Sequence, residues 1–206
     1  MLSKAGASLD LSTLKTFRFA PGTIAGIACT IARTGYTGED GVELFCAWND
    51  APALWDALMT AGADAGIEPI GLGARDTLRL DARLSLYGND IDETTNPLEA
   101  GLGWVCAADK AYVGSDVIAR TRADGPVRKL VALRMDEERA VPRPGCPIVE
   151  GGVVTSGTFS PTLQRGIGLG YVPSALAEPG TAIAVDVRGR IRTAHTARKP
   201  LYVKET

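Results

Sequence analysis

Three arginines recur every fourth residue, at Arg75, Arg79 and Arg83. On a helix they would form one cationic stripe, in which neighbours repel by roughly 0.2–0.5 kcal/mol per pair. Either the stripe is a solvated face, relieved in part by Asp76 and Asp81, or at least one guanidinium is held inward by an anion. A guanidinium pairs bidentately with a carboxylate. Glu43 could be that carboxylate, or a ligand could supply it.

Other chemistry-bearing residues point to less. Asp90, Asp92 and Glu93 form a small acidic cluster, but no Gly-centred calcium loop follows, and a solvated loop is the expectation. His195 is the only histidine and has no serine or cysteine motif to serve, so it reads as incidental. Gly166-Ile-Gly-Leu-Gly170 lacks nucleotide-loop spacing, and close backbone approach in a strand explains it better. Cys29, Cys46, Cys106 and Cys146 are scattered without a Cys-x-x-Cys pair. They read as structural thiols in a reducing compartment, and no metal site is expected.

At 206 residues the chain can hold one large domain or two small ones. An apolar share of 45% is that of a globular protein rather than a disordered tail. The net charge of −2, with mixed signs and no basic run, suggests neither a nucleic-acid nor a membrane surface. No apolar run approaches a bilayer span, and the first six residues lack a signal-peptide core, which argues against secretion.

The elements that must position these residues follow from local pattern. Ile24 to Thr30 leads into Gly38-Glu39-Asp40-Gly41, and Val42-Glu43-Leu44-Phe45 leads out, which predicts a β-hairpin. Alternation puts Val42 and Leu44 on one face and Glu43 and Phe45 on the other. Glu43 is then at the surface, or on a partly buried face that needs a polar partner. Before the hairpin, Leu9 to Leu14 suggests a short helical turn and Pro21-Gly22 a break. Asn49-Asp50-Ala51-Pro52 starts an amphipathic helix that ends near Gly62 or Gly66. A second helix runs from Gly71 to about Leu84. Ala100 to Ala107 is expected as a strand, and Gly114-Ser115-Asp116 as the cap of a short helix through Thr121.

Composition shifts at Ala123-Asp124-Gly125-Pro126. Beyond it lie strand-like runs at Lys129–Arg134, Pro147–Val149, Val153–Phe159, Ile167–Val172, Ala182–Val187 and Arg192–Arg198. Short strands at near-regular spacing predict a small barrel or sandwich. The expected class is α+β: an antiparallel sheet with helices over 1–124, then an all-β barrel domain over 125–206.

Six blocks stand in order along the chain: Arg33-Thr-Gly-Tyr-Thr-Gly-Glu-Asp-Gly41, Gly71-Leu-Gly-Ala-Arg-Asp-Thr-Leu-Arg79, Leu86-Tyr-Gly-Asn-Asp-Ile-Asp92, Asn96-Pro-Leu-Glu-Ala-Gly-Leu-Gly-Trp104, Val154-Thr-Ser-Gly-Thr-Phe-Ser-Pro161 and Ile167-Gly-Leu-Gly-Tyr-Val172. Together they resemble the aminomethyltransferase family, the T-protein of the glycine cleavage system. The resemblance covers nearly the whole chain. Family sequence similar to the start of this chain lies mid-chain, so the resemblance implies that about the N-terminal two-fifths of a family member is missing. Asp81-Ala82-Arg83-Leu84-Ser85 departs from the Gly and Pro often found there and is expected to lengthen the helix.

The resemblance implies an enzyme that moves the aminomethyl carbon of a lipoyl carrier protein to tetrahydrofolate and releases ammonia. It also implies folate contacts at Tyr36, Glu43 and Arg75, with Tyr87 as a fourth candidate. The side-chain chemistry suits a folate, since a glutamate accepts from pterin N–H groups, an arginine grips a carboxylate, and a tyrosine offers a flat wall. The family's key aspartate belongs to the portion not matched, so no catalytic residue is assigned and this chain alone is expected to be incomplete for catalysis. Other readings are a folate-binding module, or a relative of folate-dependent demethylases and dimethylglycine or sarcosine oxidoreductases. The compartment implied is a bacterial cytoplasm or a mitochondrial matrix.

Overall fold

A computed structural model describes residues 2–198 and 200–202. The chain divides into two compact units, Met1–Arg75 and Asp76–Thr206.

The first unit is built on a three-stranded antiparallel sheet of β1 (Phe19–Ile24), β2 (Ile27–Ala32) and β3 (Glu43–Cys46), in that order. Its inner face presents Ile24, Cys29, Ile31, Leu44 and Cys46, packed with Leu54 and Leu58 of α1 (Ala51–Gly62) and with Leu2, Ala5 and Leu14. The helix begins as expected, with Pro52 in its first turn. Glu43 and Phe45 point to the opposite, exposed face, and Val42 and Leu44 point inward, as the alternation required.

The tight hairpin, however, is β1–β2. Ala25 (φ 52°) and Gly26 (φ 79°) form a two-residue turn with both central residues left-handed, the geometry that matches strand twist. Between β2 and β3 the pairing starts at Ala32↔Glu43, so residues 33–42 form a broad loop rather than a turn at Gly38–Gly41. Pro21, expected as a break, lies within β1 opposite Thr30. An edge strand tolerates it because the missing N–H can face solvent.

The second unit is a curled five-stranded antiparallel sheet, in the order β5-β6-β4-β8-β7. The strands are β4 (Arg128–Met135), β5 (Val153–Ser160), β6 (Arg165–Pro173), β7 (Ala182–Asp186) and β8 (Ile191–Ala197). Of the expected runs, Pro147–Val149 is not a strand but a clasp. Pro147 bridges Val153 on one edge strand and Ile148 bridges Val185 on the other. Val131, Leu133, Met135, Ile148, Val154, Val172 and Val185 fill one side of the sheet. Leu80, Leu130, Ala132, Ile167, Leu169 and Tyr171 form a second cluster on the other. The glycines of β6 are steric: a Cβ on Gly168 would lie 2.6 Å from the Ser156 carbonyl oxygen, and one on Gly170 2.9 Å from that of Val153. The α+β class, antiparallel sheets with a few helices and a curled C-terminal β unit, is what the chain adopts.

Three local expectations change. The helix α2 spans Leu72–Asp81 and stops short of Leu84. Arg83 turns left-handed (φ 56°), Leu84 N donates to Arg79 O at 2.8 Å and Arg83 N to Leu80 O at 2.9 Å. These are the paired bonds of a Schellman stop. Ala100–Ala107 is turn and a short 3₁₀ segment, Gly103–Val105, because Gly101 (φ 72°) reverses the chain and Trp104 stays exposed. Finally, α3 runs Ser115–Asp124, past Thr121, with no side-chain cap bond at Gly114.

Candidate functional site

The loop 33–42 is held by Arg33, which sequence reasoning did not single out. Its Nε and Nη2 donate to Asp40 Oδ1 at 3.1 and 3.0 Å, and Nη2 also reaches Oδ2 at 2.9 Å. Its Nη1 donates to the carbonyls of Leu11 (3.2 Å) and Leu14 (2.9 Å). One guanidinium therefore ties both ends of the loop to the N-terminal segment. From that loop Thr34 donates its hydroxyl to Glu43 Oε2. Glu43 is exposed, and its other carboxylate oxygen has no partner among the described residues.

Tyr36 rises from the same loop, and the Arg75 guanidinium stacks over its ring at 4.9 Å from the centroid. Stacking on an aromatic face orients the cation. Arg75 makes no ion pair with a described carboxylate and is exposed. So two of the four expected residues are brought into direct contact, and Glu43 is buttressed from the same loop. Tyr87 belongs to the second unit, where it is 67% exposed beside the turn at Gly88 (φ 87°).

The inward arginine of the stripe is Arg79, 1% exposed, and its anions are neither Glu43 nor a ligand. Its Nη1 donates to Asp90 Oδ2 at 2.6 Å and its Nε to Asp76 Oδ1 at 2.8 Å. Ser156 Oγ and the Leu84 carbonyl take its other protons at 2.8 and 3.0 Å. Asp90, expected in a solvated loop, is itself 1% exposed. It also accepts from Leu86 N (2.9 Å) and from Thr155 Oγ1 (2.5 Å), while Tyr171 OH donates to its carbonyl at 3.0 Å. This fully bonded pair locks the second-unit part of α2 to the loop that carries Tyr87. The Asp76–Arg79 spacing was the only local hint of it; Asp90 and Ser156 lie too far along the chain for any periodicity to reveal.

Elsewhere the acidic cluster does no more than shape a turn: Asp92 accepts from Thr94 N (2.9 Å) and the Thr94 and Thr95 hydroxyls, which lower its pKa. His195 Nδ1 pairs with Asp136 Oδ1 at 2.8 Å on the surface. Arg83 donates to the Leu130 carbonyl at 2.6 Å, and burial lowers its pKa. The four cysteines are free, and no metal-ligating cluster occurs among the described residues.

Two family profiles match in tandem: the GCVT N-terminal domain over residues 1–110 and the glycine cleavage T-protein C-terminal barrel domain over 128–202. The chain belongs to the glycine cleavage T-protein family. Curated relatives named aminomethyltransferase include that of Halothermothrix orenii, 48% identical over 94% of this chain and 56% of the relative. That of Symbiobacterium thermophilum is 45% identical over 98% and 56%. The crystal structure of glycine cleavage system aminomethyltransferase T from Bartonella henselae superposes with a TM-score of 0.86 at 33% identity, over 98% of this chain and 56% of that one. The chain thus spans about half the length of the curated relatives it matches. Among the described residues no helix is long and apolar enough to cross a membrane.

Proposed function

We propose that this chain supplies the tetrahydrofolate-contacting part of an aminomethyltransferase, which moves the aminomethyl carbon from a lipoyl-bearing carrier protein to tetrahydrofolate with release of ammonia. The observation that carries this is the Arg75 guanidinium, stacked on Tyr36 and unpaired with any described carboxylate, in a chain whose relatives bear that enzyme's name. The residues fit the group. Arg75 would grip a folate carboxylate, and Tyr36 would wall one face of the ligand. Glu43, steadied by Thr34, would accept from pterin N–H groups through its open oxygen. Tyr87 is proposed as a further wall, exposed for contact. Bound tetrahydrofolate supplies the nitrogen that receives the one-carbon unit. This chain's part is to bind and orient, and no catalytic residue is assigned to it.

The site of action we infer is a bacterial cytoplasm or a mitochondrial matrix, where the lipoyl carrier would be met. We also propose 124/125 as the division between the folate-contacting region and the barrel domain. It falls between the two profile matches, whereas the division in packing lies at Arg75/Asp76.

The test is calorimetric titration of the chain with tetrahydrofolate, alongside Arg75→Ala and Glu43→Gln. Saturable binding is expected, weakened about tenfold or more by either substitution, since each removes a charge-assisted contact. Binding that survives both substitutions would refute the assignment of these residues. Absence of binding by the folded wild type would refute the proposal that this half holds folate unaided.

A further inference from the structure

The barrel unit carries a cleft of about 620 Å³, where the connection after β4 meets the tip of the β7–β8 hairpin. Five of the chain's sixteen arginines line it, Arg139, Arg143, Arg188, Arg190 and Arg192, with Glu137 as the one carboxylate. In a chain of net charge −2, that is a local reversal of sign.

A merely solvated basic surface would be balanced by free carboxylates nearby. Here they are committed. Both oxygens of Glu137 take Arg192 Nη1 at 2.6 Å. Asp186 Oδ1 accepts Gly189 N at 2.7 Å, and Asp136 Oδ1 faces His195. Glu138 does not line the cleft. Arg139, Arg188 and Arg190 are left without an ion pair among the described residues, and Arg143 reaches only the Gly157 carbonyl, at 3.5 Å.

Arg188 adds an independent sign. It sits at φ 55° in a two-residue turn with Gly189 at φ 78°. Val187 and Arg190 close that turn through N→O bonds of 2.9 and 3.3 Å. Asn or Gly adopts this position at least cost. An arginine there holds a guanidinium at the cleft's lip against local backbone preference. Val141 and Val187 give the wall an apolar stretch, which strengthens any charge contact made against it.

We propose that this cleft binds a multivalent oxyanion, a small molecule bearing two or more phosphoryl or carboxylate groups, through Arg139, Arg188 and Arg190 with Arg143 beside them. Guanidinium forks pair bidentately with both groups, and several of them converging on one small cleft favour more than one anionic centre. The volume is that of an ordinary small-molecule site. The proposal stands apart from the folate assignment, since it uses none of that assignment's residues.

The test titrates the full chain at constant ionic strength with tripolyphosphate and, in a second arm, with citrate, using inorganic phosphate as the comparator. One arm should give saturable one-to-one binding at least about tenfold tighter than inorganic phosphate, and the tighter arm identifies the anionic group. Arg139→Gln and Arg190→Gln should each weaken it about tenfold, whereas Arg18→Gln, an equal loss of charge in the first unit, should leave it unchanged. Arg188→Asn should weaken it too while leaving the melting temperature equal or higher, which separates lost binding from lost fold. Non-saturable heats, no difference from inorganic phosphate, or equal loss in Arg18→Gln would overturn the proposal in favour of a solvated basic surface.

Discussion

Asp90→Asn should destabilise the second unit far more than any exposed ion pair could. The substitution keeps a carbonyl acceptor for Leu86 N but removes the charge 2.6 Å from Arg79 Nη1, where both side chains are at most 2% exposed. Breaking one partner of a buried pair costs about 3–5 kcal/mol, because the other charge stays desolvated. Asp76, 44% exposed, still faces Arg79 Nη2 at 2.7 Å, so the lower end, about 3 kcal/mol, is expected. For a unit of this size that is roughly 10 °C in melting temperature, or more than about 1 M in the urea midpoint. Arg79→Met should cost as much, since it leaves the Asp90 carboxyl buried without its guanidinium partner. The double variant Asp90→Leu/Arg79→Met should recover most of the loss, as apolar replacements of a buried pair often do. As a control, Asp40→Asn, at a carboxylate 75% exposed, should cost less than about 1 kcal/mol. Urea unfolding followed by circular dichroism measures all four. Single substitutions costing under about 1 kcal/mol, or a double variant that recovers none of the loss seen in Arg79→Met, would show that the pair is hydrated rather than structural.

Three further outcomes follow from the same packing. Burial raises the Asp81 pKa above 3.8, and one of its oxygens lacks a partner among the described residues, so its carboxyl favours the fold while protonated and loses that contribution as pH rises through the raised value. Asp81→Asn should therefore gain on the wild type in urea midpoint as pH goes from 4 to 8, and a pH-independent difference would contradict this. Arg83→Ala keeps the left-handed backbone and loses the bond to Leu130, whereas Arg83→Gly relieves the backbone. The alanine variant should be less stable than the glycine variant by about 1 kcal/mol, and the reverse order in urea unfolding would refute the Schellman assignment. Hydrogen exchange should be slowest in β4 and β6, central in their sheet and buried on both faces, and faster in β1–β3; equal protection in a monomer would count against the barrel as the more stable unit.

What the sequence made legible was whatever depends on near neighbours. The runs around Val131, Ile167 and Val185 are apolar and β-rich, and each became a strand within a residue or two of its expected ends. Alternation at Val42–Phe45 put Glu43 on the open face, and Pro52 marked the start of α1. The misses share one cause, which is that a local signal was outweighed by a distant partner or a backbone requirement. Ala100–Ala107 is apolar enough for a strand, but Gly101 turns left-handed and Gly103–Val105 coils into a 3₁₀ segment. Pro21 looked like a break because the sequence does not say that β1 is an edge.

The site divides along the same line. Arg75 and Tyr36 are 39 positions apart, and nothing in their spacing joins them; only the family blocks associate the two, and the stacking at 4.9 Å is what the folded chain adds. The arginine stripe shows the complementary case. Its repeat announced that one guanidinium could turn inward, and the chemistry demanded a carboxylate, but the demand could be met by any acid in the chain. Asp90 meets it across 11 positions, and Ser156 adds a neutral hydroxyl acceptor across 77. The physical consequence is a division of labour along one helix face. Arg79 is anchored and charge-neutralised, which fixes α2; Arg75, one turn away, keeps its charge exposed for a ligand. A substitution at Asp90 should then lower folate affinity without touching folate, and by less than Arg75→Ala does. A larger loss from Asp90→Asn than from Arg75→Ala would mean that the buried pair, not the exposed cation, meets the ligand.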